Sequence, residues 1–134
     1  ACDTLQAVIE SFIALAEPGD YIAINAFLPY NAYNHERLTA LRQRILAQTG
    51  CATILGFGPR FLHSTGQLHK GGPNTGLFLQ ITQDDAIDFE IPGESYSFGT
   101  LARAQTLGDF EALLSGKRRA IRIHLPAGDP LKFM

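Results

Sequence analysis

The stretch Tyr21-Ile22-Ala23-Ile24-Asn25-Ala26-Phe27-Leu28 decides the fold, because it is short and almost continuously apolar. Apolar and polar side chains do not alternate along it, as they would in a strand with one face in water. Both faces must therefore be covered, which is typical of a parallel strand between two layers of helices. Pro29 follows directly and ends the strand.

Helical periodicity flanks this strand on both sides. Residues 3–16 have the i, i+3, i+4 spacing of an amphipathic helix, with Asp3 or Thr4 as its N-cap. A second helix is expected from an N-cap at Asn34 to about Gln48. The apolar residues expected on the buried sides of the two helices are Leu5, Val8, Ile9, Phe12, Ile13, Ala16, Leu38, Leu41 and Ile45.

Three more strands are expected, at residues 51–57, 76–82 and 121–125. The last alternates apolar with polar residues, as a strand near a sheet edge does. Two short helices should precede it, separated by Gly108-Asp109, with Asp109 as the N-cap of the second. Strands that alternate with helices predict an α/β fold: a three-layer αβα sandwich with a mostly parallel sheet and a flavodoxin-like architecture.

Length and composition narrow the class of protein. The chain has 134 residues, of which 46% are hydrophobic and 18% charged, and this predicts a single domain over 1–134 with a real core. The net charge of -2 gives no reason to expect a nucleic-acid partner or an anionic membrane. No apolar run approaches the ~20 residues that span a bilayer, and no leader pattern is present, so we expect a cytoplasmic protein with reduced thiols. The start at Ala1 without a methionine suggests a C-terminal fragment of a longer chain.

The functional residues are expected in one polar stretch, Leu62-His63-Ser64-Thr65-Gly66-Gln67-Leu68-His69-Lys70-Gly71-Gly72-Pro73-Asn74-Thr75-Gly76. It is too polar to be buried core and too rich in glycine to suggest a helix. We therefore expect a loop at the end of a strand, where α/β proteins collect their ligand-binding groups.

Three kinds of site are excluded by spacing. His63 and His69 are six residues apart, and the chain has no HxxxH, HExxH or CxxC pair, so no metal is expected. Lys70-Gly71 has the wrong order for a P-loop. Ser64 lacks the glycines of a hydrolase nucleophile elbow. We therefore expect chemistry that needs neither a metal nor a cofactor.

The remaining chemistry is that of polyols and phosphates. A neutral-range imidazole, for which His63 is the candidate, can move a proton to or from a sugar ring oxygen. The other candidates, which can bind hydroxyl groups or an anion, are Arg60, Ser64, Thr65, Gln67, His69 and Lys70. A loop that binds no ligand is the alternative on chemistry alone.

Residues 56–73, Gly-Phe-Gly-Pro-Arg-Phe-Leu-His-Ser-Thr-Gly-Gln-Leu-His-Lys-Gly-Gly-Pro, resemble the C-terminal sugar-isomerase (SIS) domain of glucose-6-phosphate isomerases. The resemblance is closest to the form fused behind a transaldolase in some bacteria. Residues 91–125 and Glu17-Pro-Gly-Asp-Tyr21 also look like that group. The resemblance covers most of the chain.

The resemblance implies aldose–ketose isomerisation, the interconversion of glucose 6-phosphate and fructose 6-phosphate in glycolysis and gluconeogenesis. It places a ring-opening histidine at His63, a glutamate that moves the proton between C1 and C2, and a lysine near the C-terminus. It also implies a sugar-phosphate substrate, a site completed by the remainder of the isomerase chain, and a homodimer.

Two features depart from the family pattern. Gln48 stands where the resemblance would place the catalytic glutamate, and a glutamine cannot accept a proton. Glu36 and Glu94 are alternative bases only if the fold brings them to His63. The family's context for the terminal lysine is absent, so Lys132 and Lys70 are candidates for it by chemistry alone. The sequence thus leaves two hypotheses: an isomerase domain that is inactive alone, or a non-catalytic sugar-phosphate-binding or dimerisation module.

Overall fold

A computed structural model describes residues 4–128 and 131. Within them the chain forms four helices and four strands in alternation after the first helix. The helices are Leu5–Ile13 (α1), Ala32–Thr49 (α2), Thr65–Gly71 (α3) and Phe98–Ser115 (α4). The strands are Tyr21–Phe27 (β1), Ala52–Phe57 (β2), Gly76–Gln83 (β3) and Arg119–Leu125 (β4).

The four strands form one sheet in the order β2-β1-β3-β4, and every neighbouring pair is parallel. The central strands β1 and β3 are buried along nearly their whole length, as their continuous apolar runs predict. β4 is an edge strand, in agreement with its alternating pattern. The prediction of a parallel α/β sandwich is confirmed.

Alternate residues of each strand face opposite helix layers. Ile22, Ile24 and Ala26 of β1 belong to a large apolar cluster with residues of α1 and α2. Ala23 of β1 belongs instead to a small cluster with Phe78 of β3 and Leu113 of α4. We call these sides the α1/α2 face and the α3/α4 face.

The helix ends agree in part with their predicted caps. The Thr4 hydroxyl accepts from the Ala7 N–H at 3.2 Å, so Thr4 is the N-cap of α1. Gly50 ends α2 in the left-handed region, with φ at 69°. The N-cap of α2 is Asn31, whereas Asn34 was expected; Asn34 lies inside the helix, and its side chain donates to the Pro29 carbonyl.

The polar stretch is not a loop throughout, because Thr65–Gly71 forms α3. The glycine content predicted a loop, but Gly66 lies within the helix and permits a close contact with the preceding turn. A Cβ at Gly66 would lie 2.7 Å from the Phe61 carbonyl oxygen, and its own N–H donates to that oxygen. The helix therefore docks on the preceding turn through a residue that must be small.

The prediction of two short helices before β4 is wrong, since α4 is continuous from Phe98 to Ser115. Gly108 is exposed, so it lowers the stability of the helix by little more than the low helix propensity of glycine. Asp109 caps nothing: its carboxylate is buried and lies 2.7 Å from the Lys70 ammonium. This ion pair connects α4 to α3.

The basic residues before β4 form specific contacts. Arg119 is the first residue of β4 and makes two hydrogen bonds to Asp20, at 2.8 and 2.9 Å. This hydrogen-bonded Arg119 guanidinium lowers the pKa of the Asp20 carboxyl. Arg118 donates to the carbonyls of Lys70 and Gly72. Arg118 therefore connects the end of α3 to the start of β4, and Arg119 connects the turn before β1 to β4.

Across residues 4–128 and 131, none of the helices combines the length and the apolar character needed to cross a bilayer.

Candidate functional site

A cavity of about 340 Å³ lies beside β1 and β2 on the α3/α4 face. We call it the His69 cavity. Its lining residues come from both strands, from the segment after each and from α3: Asn25, Tyr30, Ile54, Leu55, Gly56, Phe57, Arg60, Phe61, Ser64, Thr65 and His69. The carboxyl ends of parallel strands are where α/β folds bind ligands.

His69 forms the inner wall of the cavity. His69 is 3% exposed, and its ring contacts those of Tyr21, stacked at 5.7 Å, and Phe78, tilted at 4.9 Å, which also contact each other. The Tyr21 hydroxyl is 3.0 Å from Nδ1. Burial lowers the pKa of His69 and raises that of Tyr21. The imidazole is therefore neutral at neutral pH, and if Tyr21 donates to Nδ1, the proton of the ring is on Nε2.

Asn25 supplies an unsatisfied donor. It is 2% exposed and its Nδ2 has no hydrogen-bond partner among the described residues. A buried amide without partners costs free energy, on the order of 1–3 kcal/mol, unless a bound molecule satisfies it. Asn25 is the one polar residue in the apolar run of β1, and this was the available signal in the sequence.

Arg60 supplies positive charge. Its guanidinium lies 5.0 Å from the centre of the Tyr30 ring, in a cation–π arrangement, and both side chains are exposed. No aspartate or glutamate belongs to the lining of the cavity. Among the described residues, the site thus combines a cation, an amide, three hydroxyls and a neutral imidazole without a carboxylate.

The structure brings together four of the seven predicted site residues. Arg60, Ser64, Thr65 and His69 all line the His69 cavity. His63, the predicted catalytic residue, is exposed and is absent from that lining, although its neighbour Ser64 is part of it.

Gln67 and Lys70 lie outside the lining as well. The Gln67 side chain donates to the Leu62 carbonyl at 2.7 Å, and the Lys70 ammonium pairs with Asp109. Lys70 was expected to bind the anion of a ligand, but in the structure its ammonium binds the Asp109 carboxylate. Asn25 and Tyr30, which the sequence did not single out, also line the cavity, and Tyr21 contacts His69 from outside the lining.

Neither Gln48, at the position expected for the catalytic glutamate, nor the alternative bases Glu36 and Glu94 belong to the lining of the cavity. Gln48 lies in the last turn of α2, which leads into the amino end of β2, the opposite edge of the sheet. Glu36 is exposed on α2 and Glu94 is exposed in the segment before α4. Within the described part of the chain, no group of three or more histidine, cysteine, aspartate or glutamate residues is arranged to hold a metal.

Comparison with known proteins supports the fold. Neither a scan against protein-family models nor a search of curated proteins finds a match. Among solved structures, the chain is similar to a hypothetical protein from Thermus thermophilus, with a TM-score of 0.74 and 19% sequence identity. The match covers 94% of this chain but 35% of that protein. At this identity the similarity concerns the three-layer architecture, and the chain corresponds to about a third of the larger protein.

Proposed function

We propose that this chain is a sugar-isomerase domain that binds a sugar phosphate in the His69 cavity, as part of a larger glucose-6-phosphate isomerase. One observation carries the proposal: a single cavity collects Arg60, Ser64, Thr65, Asn25 and a buried neutral His69. These are the groups that phosphate, hydroxyls and a ring oxygen require. The similarity of residues 56–73 to the isomerase motif points to the same substrate class.

Each group has a distinct role in this proposal. The Arg60 guanidinium receives the phosphate, since it is the cation of the lining. The Asn25 amide and the hydroxyls of Ser64 and Thr65 bind sugar hydroxyls. His69 exchanges a proton with the ring oxygen during ring opening, because a neutral imidazole can both accept and donate. His63 is the competing candidate for that step, and it acts only if the substrate extends beyond the cavity.

The proton transfer between C1 and C2 requires a base that the lining of the cavity does not supply. A carboxylate from the remainder of the isomerase chain, or from a second copy in a homodimer, must supply it. The described domain alone therefore binds substrate without isomerising it.

Titration with fructose 6-phosphate, followed by amide NMR shifts, tests binding. We expect saturable shifts in residues 54–69 and no comparable shifts in α1. Arg60→Gln should weaken binding roughly tenfold or more, as loss of a charge-assisted contact does. Arg42→Gln, an exposed arginine on α2, is the matched control. Absence of saturable shifts at millimolar ligand would contradict the proposal.

A turnover assay separates the two histidines. His69→Gln in the full isomerase should abolish most turnover of glucose 6-phosphate, whereas His63→Gln should retain it. Loss of turnover in His63→Gln, with turnover retained in His69→Gln, would instead assign ring opening to His63.

A non-catalytic sugar-phosphate sensor or dimerisation module is the second candidate function. The missing carboxylate favours it, because such a module needs no base. Binding of fructose 6-phosphate by the full polypeptide without exchange of the C2 proton with solvent would establish this alternative.

A further inference from the structure

A second, larger cavity of about 720 Å³ lies on the same face, on the other side of β1. We call it the Arg122 cavity. It is enclosed by the ends of β1 and β3, by β4 and by the first half of α4. Its lining is Phe27, Leu28, Pro29, Gly58, Pro59, Thr82, Gln83, Asp84, Asp85, Ala86, Ile87, Gly99, Ala102, Arg103, Gln105, Thr106, Leu107, Arg122, His124 and Gly128.

The Arg122 cavity occupies the topological switch point of the sheet. β1 pairs with β2 on one side and with β3 on the other, so the chain leaves these two strands in opposite directions. α2 follows β1 on one face, and α4 follows β3 on the other. The crevice that opens between the carboxyl ends of two such strands is the usual ligand site of open α/β sheets.

The acidic groups of the lining already have local contacts. The Asp84 carboxylate is 3.1 Å from His124 Nε2, and His124 Nδ1 is 2.7 Å from the Thr82 hydroxyl. Asp85 packs against the backbone of Gly99 near the start of α4, where a negative charge is favourable. Asp84 is therefore held against β4 by His124, and Asp85 lies beside the first turn of α4.

The two arginines of the lining differ. Arg103 is close enough to Asp88 for the two charges to interact. Arg122 lies on β4 two residues before His124, on the same face of the strand. Its guanidinium has no hydrogen bond or ion pair with another side chain or carbonyl among the described residues. A guanidinium beside a concave and largely apolar surface is suited to bind a carboxylate with two parallel hydrogen bonds.

We propose that the Arg122 cavity binds a small apolar monocarboxylate, whose carboxylate pairs with Arg122 and whose hydrocarbon body lies against Phe27, Pro59 and Leu107. The volume is within the range of about 300–1,000 Å³ that small-molecule sites have. This site is separate from the sugar-phosphate site and does not depend on the proposed function. The two cavities present different chemistry. The His69 cavity has hydroxyls, an amide, an imidazole and the Arg60 guanidinium, whereas the Arg122 cavity has a largely apolar surface whose charged residues are Arg122, Arg103, Asp84 and Asp85.

The probe is 2-naphthoate, compared with its neutral analogue 2-naphthamide and with acetate, which has the charge without the apolar body. Amide NMR shifts should map 2-naphthoate to the ends of β3 and β4 and to the first half of α4, with residues 60–70 unaffected. 2-Naphthamide should bind more weakly, and acetate should give no saturable shift at the same concentration.

Arg122→Gln tests the charge. It should weaken 2-naphthoate binding about tenfold and leave 2-naphthamide unchanged, since the exchange removes one ion pair and keeps the apolar wall. Arg42→Gln on α2 is the control. Equal affinity of the wild type and Arg122→Gln for 2-naphthoate would overturn the proposal, as would shifts confined to other surfaces. Shifts for 2-naphthoate without any for fructose 6-phosphate would leave this inference standing and remove the sugar-phosphate site.

Discussion

The two faces of the sheet differ in what they bury. On the α1/α2 face, aliphatic and aromatic side chains of four strands and two helices form a continuous cluster. The α3/α4 face has a small apolar cluster, beside which Asn25, Gln80, Thr82 and Asp109 are buried as polar groups. Both cavities open on this second face.

The difference indicates that the α1/α2 face mainly stabilises the fold, whereas the α3/α4 face is suited to bind ligands. Apolar burial stabilises a fold by roughly 25 cal/mol per Å², whereas burying polar groups contributes little and constrains the choice of partners. Imperfect packing on the α3/α4 face leaves room for ligands. The α1/α2 face supplies the stability that makes such packing tolerable. Four substitutions test this comparison.

Leu38→Ala should have the largest effect on stability. Leu38 is fully buried in the α1/α2 cluster, and leucine-to-alanine changes at such sites cost about 2–5 kcal/mol. Urea denaturation measures the free energy of unfolding. Leu46→Ala on the same helix, where the side chain is 48% exposed, is the control and should cost far less. Equal losses for the two variants would contradict the division between the faces.

Lys70→Met should destabilise the α3/α4 face. It leaves the carboxylate of Asp109, whose side chain is 2% exposed, without its ammonium partner. A fully buried pair broken in this way costs about 3–5 kcal/mol, and because the Lys70 side chain is 24% exposed we expect about 2 kcal/mol. The double variant Lys70→Met/Asp109→Leu should recover most of the loss. Lys117→Met, which changes an exposed lysine, is the control.

Gly66→Ala should lower stability by about 1–2 kcal/mol, since the new methyl group meets the Phe61 carbonyl and displaces α3. Gly71→Ala in the same helix meets nothing within 4 Å and should be neutral or slightly stabilising. Thermal unfolding of both variants measures the difference. A stable Gly66→Ala protein with unchanged shifts around His69 would show that α3 is not held by this contact.

The pH dependence of stability should be the smallest effect. Because burial lowers the pKa of His69 below its ordinary 6.5, the unfolded chain takes up a proton that the folded chain excludes. Stability is therefore fully present above about pH 6.5 and declines as the pH falls below it. In His69→Gln the decline between pH 7.5 and 5.5, followed by urea denaturation, should be shallower. His35→Gln leaves His69 in place and should keep the wild-type slope.

The sequence predicted most of the architecture, because continuous apolar runs and helical periodicity are local signals. It failed where a residue acts through a distant partner. Gly108 and Asp109 resembled a helix break, yet the Asp109 carboxylate pairs with Lys70, far away in the chain. Gly66 was one of the glycines that predicted a loop, yet its lack of a side chain permits tight packing of α3 on Phe61.

The candidate site was predicted in part for the same reason. Arg60, Ser64, Thr65 and His69 lie in one polar stretch, and the structure places all four around one cavity. Asn25 was hidden in an apolar strand, and Tyr21 acquires its role only through its contact with His69. Periodicity could not tell the exposed imidazole of His63 from the enclosed one of His69.

The aromatic pair Phe27–Phe61 forms a partition between the two cavities. Phe27 lines the larger cavity, Phe61 lines the smaller, and their rings meet edge to face with centres 5.6 Å apart. Gly58 leaves no space behind Phe27, because a Cβ there would collide with that ring. A ligand in either cavity therefore meets one ring of the same aromatic pair, and the pair keeps the two binding surfaces apart.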